Sequence, residues 1–283
     1  MSIDITTISH TSLQINEDIL GYNPKAIWVL DGATSISGRK AQIADRFESD
    51  ASWFVNQFSN FFSNLNSDAE LNTQLKSITD KIQQDAPSVW GNWDDQDVPS
   101  ASFSAAFYDE EIISLYNLGD CRILYQLDDG PIQAFGQSNV EALDQDLLEQ
   151  YKTLSLQVPR PSRKEIWQQL VAQIRANRLR MNRPDGYWIL SPDGLGIDHL
   201  QQVHLRYQQH AKILLSSDGL YRLVDTYQQM SAETFFTQAF QKNGLNALLL
   251  QLREIENEDP EAIRYPRVKL QDDASAALVH INL

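Results

Sequence analysis

Three hydrophobic runs that each end in an acidic turn constrain the fold of this chain most. The runs cover residues 26–30 before Asp31-Gly32, 112–118 before Gly119-Asp120, and 213–215 before Asp218-Gly219. Apolar runs bounded by Gly and Asp are typical of β-strands that end in turns. A carboxylate at a strand end is held rigidly yet can face an open cleft, and hard divalent cations prefer such oxygen ligands. Each Asp-Gly taken alone fits an ordinary turn equally well, because both residues favour turns for conformational reasons.

The order of the acidic segments is more specific than any one of them. In chain order they are Asn16-Glu17-Asp18, Asp31-Gly32, Asn117-Leu118-Gly119-Asp120-Cys121-Arg122, Ser216-Ser217-Asp218-Gly219-Leu220, and Asp272-Asp273-Ala274-Ser275 before a last apolar run. This series resembles the metal-dependent protein phosphatases of the protein phosphatase 2C family, from about residue 10 to the C-terminus. Each motif alone is a weak signal, but five in the family's order are a strong one.

The resemblance implies a binuclear metal centre with catalytic residues Asp31, Asp218 and Asp272. Asp31 would bridge two Mn²⁺ or Mg²⁺ ions, with the Gly32 carbonyl as a further ligand of one of them. Asp218 and Asp272 would complete the protein ligands of the other ion. Physical chemistry agrees, since carboxylates forced together repel and take up protons unless cations neutralise them. A hydroxide bridging the two ions would then attack phosphorus in line, without a covalent phosphoenzyme.

Further acidic residues of the pattern surround this pair of ions. Glu17 and Asp18 fall where the family holds metal-bound water. Many members bind a third, weaker ion through the Asp of their Gly-Asp-Ser motif, here Asp120, and through a second Asp four residues after the one matching Asp218. That second position is Arg222, so a third ion is not predicted, and Arg222 would place a fixed cation in its stead. An exposed residue at a helix start is an equally good interpretation of Arg222.

The residues that would bind the substrate phosphate differ from those of the family. Some members use an Arg at the position of Leu13, and some keep a His in the loop after the first Asp-Gly, which this chain lacks. Arg39 and Lys40, just beyond that loop, are the candidate phosphate ligands, since Arg matches phosphate geometry and Lys supplies a point charge. A solvated pair in front of a helix is the alternative. Cys121 stands at the family's Ser and is interpreted as a small buried residue.

Composition fits this picture and excludes several partners. The 283 residues, 42% of them hydrophobic, are enough for one large core, and we expect a single domain, 1–283, with a variable flap at about 138–197. The net charge of −15 argues against nucleic acid and anionic membranes as partners. Basic residues concentrated in the flap indicate either recognition of an acidic or phosphorylated surface or an exposed helix face. One cysteine and a start without a signal-peptide pattern predict a cytoplasmic protein.

The apolar periodicity predicts helices and strands in separate groups. Helices are expected at residues 41–65, 69–84, 163–180 and 232–255, strands at 101–108, 112–116 and 122–127, and extended chain at 186–191 and 203–216. Helices grouped outside strand-rich stretches favour an α+β fold. The resemblance implies a four-layer αββα sandwich, in which helices flank two antiparallel sheets.

Three functions remain to be compared. The first is a metal-dependent serine/threonine phosphatase, whose substrate would be a phosphoprotein and a target of a Ser/Thr kinase. The second, a haloacid-dehalogenase-type phosphatase, fails because Val29 stands where that family needs a nucleophilic Asp. The third is a catalytically weak or inactive relative that binds phosphoproteins, which the departures at Leu13, Ala33 and Arg222 suggest. We rank it second, because Asp31, Asp218 and Asp272 all remain.

Overall fold

Two antiparallel sheets form the centre of the molecule. A computed structural model of the chain describes residues 1–33, 49–64, 70–85 and 97–283, so Arg39 and Lys40 lie outside the described residues. The strands are β1 (Ser2–His10), β2 (Asp18–Asn23), β3 (Ala26–Ala33), β4 (Ser100–Tyr108), β5 (Ile112–Leu118), β6 (Arg122–Leu127), β7 (Gln133–Phe135), β8 (Gln201–Arg206), β9 (His210–Ser216) and β10 (Ala274–Asn282). One sheet has the order β1-β10-β9-β6-β7 and the other β2-β3-β4-β5-β8.

The inner faces of the two sheets pack on each other. On β3, Ile27 and Val29 belong to this inter-sheet core, whereas Trp28 and Leu30 point to the opposite face, toward the helices. Both faces of β3 are therefore covered, which explains why its sequence is continuously apolar and not alternating. From the other sheet, Ile213 on β9 enters the same core.

Helices cover the outer face of each sheet. The helices are α1 (Asp50–Ser63), α2 (Leu71–Asp85), α3 (Val140–Ser155), α4 (Arg163–Arg178), α5 (Asp218–Tyr221), α6 (Ala232–Ala239) and α7 (Gly244–Glu258). Phe58 and Phe62, one turn apart on α1, are both buried, and the Phe62 ring stacks on Phe103 of β4 with centroids 5.1 Å apart. The buried Trp28 indole N–H donates to the Ser59 hydroxyl at 3.0 Å, so its hydrogen-bonding capacity is satisfied inside the apolar layer.

The opposite layer consists of α6 and α7 on the sheet that contains β9 and β10. Phe235, Phe236, Leu248 and Leu252 form a buried cluster with Leu278 of β10. The order from one side to the other is thus helices, sheet, sheet, helices. The predicted α+β fold and its four-layer αββα arrangement are confirmed.

Residues 138–197, where the sequence predicts a variable flap, contain two α-helices, only one of which the sequence predicts. Helix α4 agrees with the prediction, and a capping box of Ser162 and Glu165 starts it. Helix α3 was not predicted. Part of the basic stretch is used inside the molecule, because Arg178 donates to the Val98 carbonyl at 2.7 Å and Arg163 to the Val268 carbonyl at 3.0 Å.

Two predicted elements each divide in the structure. The helix expected at 232–255 is two helices, because Asn243 adopts a left-handed backbone with φ 59° and Gly244 packs tightly behind it. A Cβ at Gly244 would lie 1.9 Å from the Gln238 carbonyl oxygen. The extended chain expected at 203–216 is the end of β8 and all of β9, which belong to different sheets. Among the described helices, none is both long and apolar enough to cross a lipid bilayer.

Candidate metal centre

Asp31 near the end of β3 is the centre of the acidic site. It lies opposite Asp18 on β2 and opposite Ser102 on β4 in the strand register. The Ser102 hydroxyl donates to the Asp120 carboxylate and accepts the Asp120 backbone N–H at 2.7 Å. Cross-strand partners have Cβ atoms about 5 Å apart, so Asp18 and Ser102 both lie beside Asp31, and the hydrogen bonds of Ser102 bring Asp120 to the same place.

The second sheet contributes Asp218 and Asp272 from the facing side. Asp218 lies two residues after the end of β9, and Asp272 lies two residues before β10. Backbone and side-chain hydrogen bonds join these ends: the Ser217 N–H donates to the Ser275 carbonyl at 2.9 Å, and the Ser275 N–H donates to the Ser217 hydroxyl at 3.0 Å. The pairing of β9 with β10 thereby holds the two predicted ligands side by side.

Hydrogen bonds also join the two sheets at this point. The Glu17 backbone N–H donates to the Asp273 carboxylate at 2.7 Å, and the Gly32 N–H donates to the Glu17 carbonyl at 3.2 Å. A Cβ at Gly32 would stand 2.6 Å from that carbonyl oxygen, so the close approach requires glycine. The sheet ends are therefore fixed to each other where the acidic side chains meet.

The carboxylates raise one another's pKa. Burial is the largest cause of the raised pKa of Asp31, which lies well above its usual range, and the charges of four other carboxylates add to it: Asp18, Asp218, Asp120 and Asp272. Burial likewise raises the pKa of Asp120 to about 6, with Asp218 adding to the effect. The site thus holds more negative charge than the fold can neutralise at these positions, which is the condition that a bound cation relieves.

The buried carboxylate of Asp18 is destabilised in the same way. Burial raises its pKa to about 8, helped by the charges of Asp273 and Asp272, although the hydroxyls of Ser217 and Ser275 lower it. Neither carboxylate oxygen of Asp18 accepts a hydrogen bond from the described residues, because the nearby Ser217 and Ser275 hydroxyls donate to the Ser275 carbonyl and to the Ser9 hydroxyl, and both oxygens are buried. Buried oxygens without donors are rare and costly unless an ion or a water satisfies them. Asp18 is thus better suited to touch a cation than the sequence pattern implied.

The donor set near Asp31 fits a hard divalent ion. Carboxylate and carbonyl oxygens are what Mn²⁺ and Mg²⁺ bind, and Asp18, Asp31, Asp120, Asp218 and the Gly32 carbonyl are all of this kind. Within the described ranges, no three acidic, histidine or cysteine side chains are arranged as a ready-made metal site. Mutual repulsion of charged carboxylates favours their separation until a cation draws them together.

Asp272 is in a different state from the other carboxylates. Arg222 Nη2 lies 2.5 Å from Asp272 Oδ2, and Lys269 Nζ lies 2.9 and 3.0 Å from the two carboxylate oxygens. Burial alone would raise the pKa of Asp272, but Lys269 and Arg222 outweigh it and lower this pKa below the usual range. The role of Asp272 as a metal ligand stays a prediction.

The structure corrects the interpretation of Arg222 as an exposed residue at a helix start. Its side chain is 12% exposed, it caps the C-terminus of α5, and its guanidinium contacts Asp272. The fixed charge of Arg222 therefore pairs with Asp272, a predicted ligand of the two-ion centre. Leu13, by contrast, is half exposed, and Cys121 is buried as expected.

Three further residues of the site were not found from the sequence. Lys269 carried no motif, and Ser102 belongs to an ordinary strand pattern. Asp144 comes from α3, the helix that was not predicted. Its side chain is exposed to solvent, and desolvation by the surrounding protein, together with the charges of Asp120 and Asp218, raises its pKa to about 7. Repeated small polar residues on β4 (Ser100, Ser102 and Ser104, all buried) were the one available signal for Ser102.

The metal-free protein should lose stability as the pH rises from about 4 to about 8. The folded pKa of Asp18 is about 8 and that of Asp120 about 6, both above the unfolded value of 3.8. Between these values the folded state binds more protons than the unfolded state, so the free energy of unfolding falls as the pH rises. Melting temperatures in EDTA across this pH range measure the effect. Asp18→Asn should flatten the pH dependence, and a slope unchanged by this substitution would contradict the assignment.

Comparison with known protein families gives one match to this chain. A family model described as Protein phosphatase 2C matches residues 14–254, which include Asp18, Asp31, Asp120 and Asp218 and end before Asp272. No curated protein sequence matches the chain.

Solved structures share the fold at low sequence identity. PppA, a key regulatory component of T6SS in Pseudomonas aeruginosa, is 15% identical with a TM-score of 0.56, over 99% of this chain and 97% of the other. The serine/threonine phosphatase Stp1 from Staphylococcus aureus is 16% identical with a TM-score of 0.55, over 100% and 96%. The Mycobacterium tuberculosis serine/threonine phosphatase PstP/Ppp is 15% identical with a TM-score of 0.52, over 99% of each chain.

Proposed function

The chain belongs to the protein phosphatase 2C family, and we propose that it is a divalent-metal-dependent phosphatase that hydrolyses phosphoserine and phosphothreonine in proteins. The observation that carries the proposal is the buried carboxylate of Asp18, opposite Asp31 in the strand register, whose two oxygens accept no hydrogen bond from the described part of the chain. A structural aspartate would be hydrogen-bonded. Oxygens left open beside a second carboxylate suit a hard cation instead.

The residues of the chain would each have a defined part. Asp31, Asp18 and Asp218, with the Gly32 carbonyl, would hold the Mn²⁺ or Mg²⁺. Bound metal would supply an activated water and neutralise charge on the phosphoryl oxygens. The hydrogen bonds between Ser102 and Asp120 fix the Asp120 carboxylate at the border of the site. Val29, the position of the nucleophile in the haloacid-dehalogenase pattern, is completely buried, so a phosphoenzyme at that position is ruled out.

The substrate class is taken from the relatives' names. Two of the similar structures are called serine/threonine phosphatases, and PppA is called a regulatory component. We propose by analogy that this chain acts on phosphoproteins that a Ser/Thr kinase modifies in the cytoplasm. The basic residues Lys164 and Arg160 at the exposed start of α4 offer a surface for acidic or phosphorylated protein.

A second candidate function follows from the state of Asp272. Its carboxylate is held by Arg222 and Lys269, and a centre disturbed in this way suits a catalytically weak or inactive module that binds phosphoproteins. The two functions make different predictions for turnover, because only the phosphatase consumes its ligand.

Hydrolysis of a phosphothreonine peptide and of p-nitrophenyl phosphate by the purified chain separates these candidates. We expect phosphate release with Mn²⁺ or Mg²⁺ and its loss with EDTA. Release that EDTA does not affect would contradict the metal assignment. Peptide binding without any release, in the presence of either metal, would favour the binding module.

A further inference from the structure

We infer that Arg222 and Lys269 take the place of one of the two divalent ions of this centre, so that Asp272 is an ion-pair partner of the chain's own cations and not a metal ligand. This inference rests on the proposed function, because it concerns the same centre. It differs from the pattern that the sequence implied, in which Asp272 completes the ligands of one ion.

The first argument is that the Asp272 carboxylate has no acceptor site left. A carboxylate offers about four lone-pair directions on its two oxygens. Oδ2 is contacted by Arg222 Nη2 at 2.5 Å and by Lys269 Nζ at 2.9 Å. Oδ1 is contacted by Lys269 Nζ at 3.0 Å and by the Asp273 backbone N–H at 3.2 Å. These four contacts, made by three donor groups, therefore occupy the positions that a metal ion would need.

The second argument is charge. One arginine and one lysine carry together the charge of a single divalent ion, and both lie on the same carboxylate. Asp18 presents the opposite case, since neither of its oxygens accepts a hydrogen bond within residues 1–33, 49–64, 70–85 and 97–283. The centre is thus divided into a side that the chain neutralises itself and a side that it leaves open to a cation.

The third argument is that the arginine of this closed side is held by the fold, whereas the Lys269 side chain is 57% exposed. Arg222 follows α5 directly and is only 12% exposed, so its guanidinium has little freedom to turn away. Arg253 of α7 donates to the Asp272 backbone carbonyl at 2.8 Å and pairs with the fully buried Glu256 carboxylate at 2.6 Å. The backbone of Asp272 is therefore anchored independently of its side chain. An ion that reached Asp272 would have to displace a buried arginine, which strands an uncompensated charge.

Counting Mn²⁺ ions bound to the full-length chain tests the inference without reference to activity. EDTA-stripped protein is titrated with Mn²⁺ in a calorimeter, and the count per chain is compared between variants. Asp272→Asn should leave the count of the native chain unchanged. The double variant Arg222→Met with Lys269→Met should bind one ion more than the native chain, and adding Asp272→Asn to it should remove that ion again.

A matched control removes the same charge elsewhere. Arg160→Met with Lys164→Met deletes two exposed cations at the start of α4 and should leave the count unchanged. Loss of one ion in Asp272→Asn would overturn the inference, as would a double variant that gains none. Asp272→Asn keeps both cations, so it decides the matter even if the buried Arg222 variant fails to fold.

Failure of the inference and failure of the proposed function would be seen in different measurements. The inference is read from the difference in ion count between variants. The proposed function is read from phosphate release by the native chain. A native chain that bound metal without hydrolysing phosphopeptide would contradict the proposed phosphatase activity. The ion count would still test whether Arg222 and Lys269 replace one divalent ion.

Discussion

Asp31→Asn should lower metal-dependent phosphate release by at least about a thousandfold, or about 4 kcal/mol of transition-state stabilisation. Asp31 is the carboxylate on which the fields of four others converge, so it is the residue that a cation at this centre must contact. An amide is a neutral and weaker ligand, and metal affinity should fall with activity. Initial rates on a phosphothreonine peptide at several Mn²⁺ concentrations measure the loss.

The same substitution should not unfold the protein. Burial and neighbouring charges make the Asp31 carboxylate costly in the metal-free chain, so the neutral amide should leave the melting temperature in EDTA unchanged or raise it. Asp129→Asn is the matched control, because its side chain is 98% exposed in the turn after β6. If Asp31→Asn and Asp129→Asn retain equal activity, the metal assignment is wrong.

Gly219→Ala should destabilise the protein by about 3 kcal/mol and remove activity as well. A Cβ at this position would lie 1.8 Å from the Asp273 backbone carbonyl oxygen, a contact that only a backbone shift relieves. That shift would separate Asp218 from the Asp272 segment. Urea unfolding followed by circular dichroism measures the stability change.

Other glycines provide an internal scale for this effect. A Cβ at Gly130 would lie 3.0 Å from the Leu127 carbonyl oxygen, so Gly130→Ala should cost less than about 1 kcal/mol. Gly32→Ala, with its closest contact at 2.6 Å, should fall between them and should also lower activity. A Gly219→Ala protein as stable and active as the Gly130→Ala protein would refute the close packing of Gly219 against the Asp273 backbone.

The strands of the site could be predicted from sequence because their signal is local. Residues 26–30 are apolar throughout and end at Asp31-Gly32, and β3 covers them. The break between α6 and α7 was missed although Asn243-Gly244 is a common turn signal, because the apolar period continues on both sides of it. The division of 203–216 between two sheets depends on strand pairing over long distances, which no local pattern encodes.

The electrostatic character of the site could be predicted only in part. Five acidic motifs indicated that carboxylates would gather, and the structure brings Asp18, Asp31, Asp120, Asp218 and Asp272 within reach of one another's charge. The pairing of Asp272 with Arg222, fifty residues away in the chain, has no periodicity that a sequence could reveal. Asp144 was missed for the same reason, because its proximity to Asp120 and Asp218 depends on how α3 packs in the folded chain.

Release of inorganic phosphate from a phosphothreonine peptide, by chain stripped with EDTA and then resupplied with Mn²⁺, tests the central claim most directly. The account predicts no release from the stripped protein, release on addition of Mn²⁺, and no recovery in Asp31→Asn. Full activity of the stripped protein, or full recovery in Asp31→Asn, would contradict it.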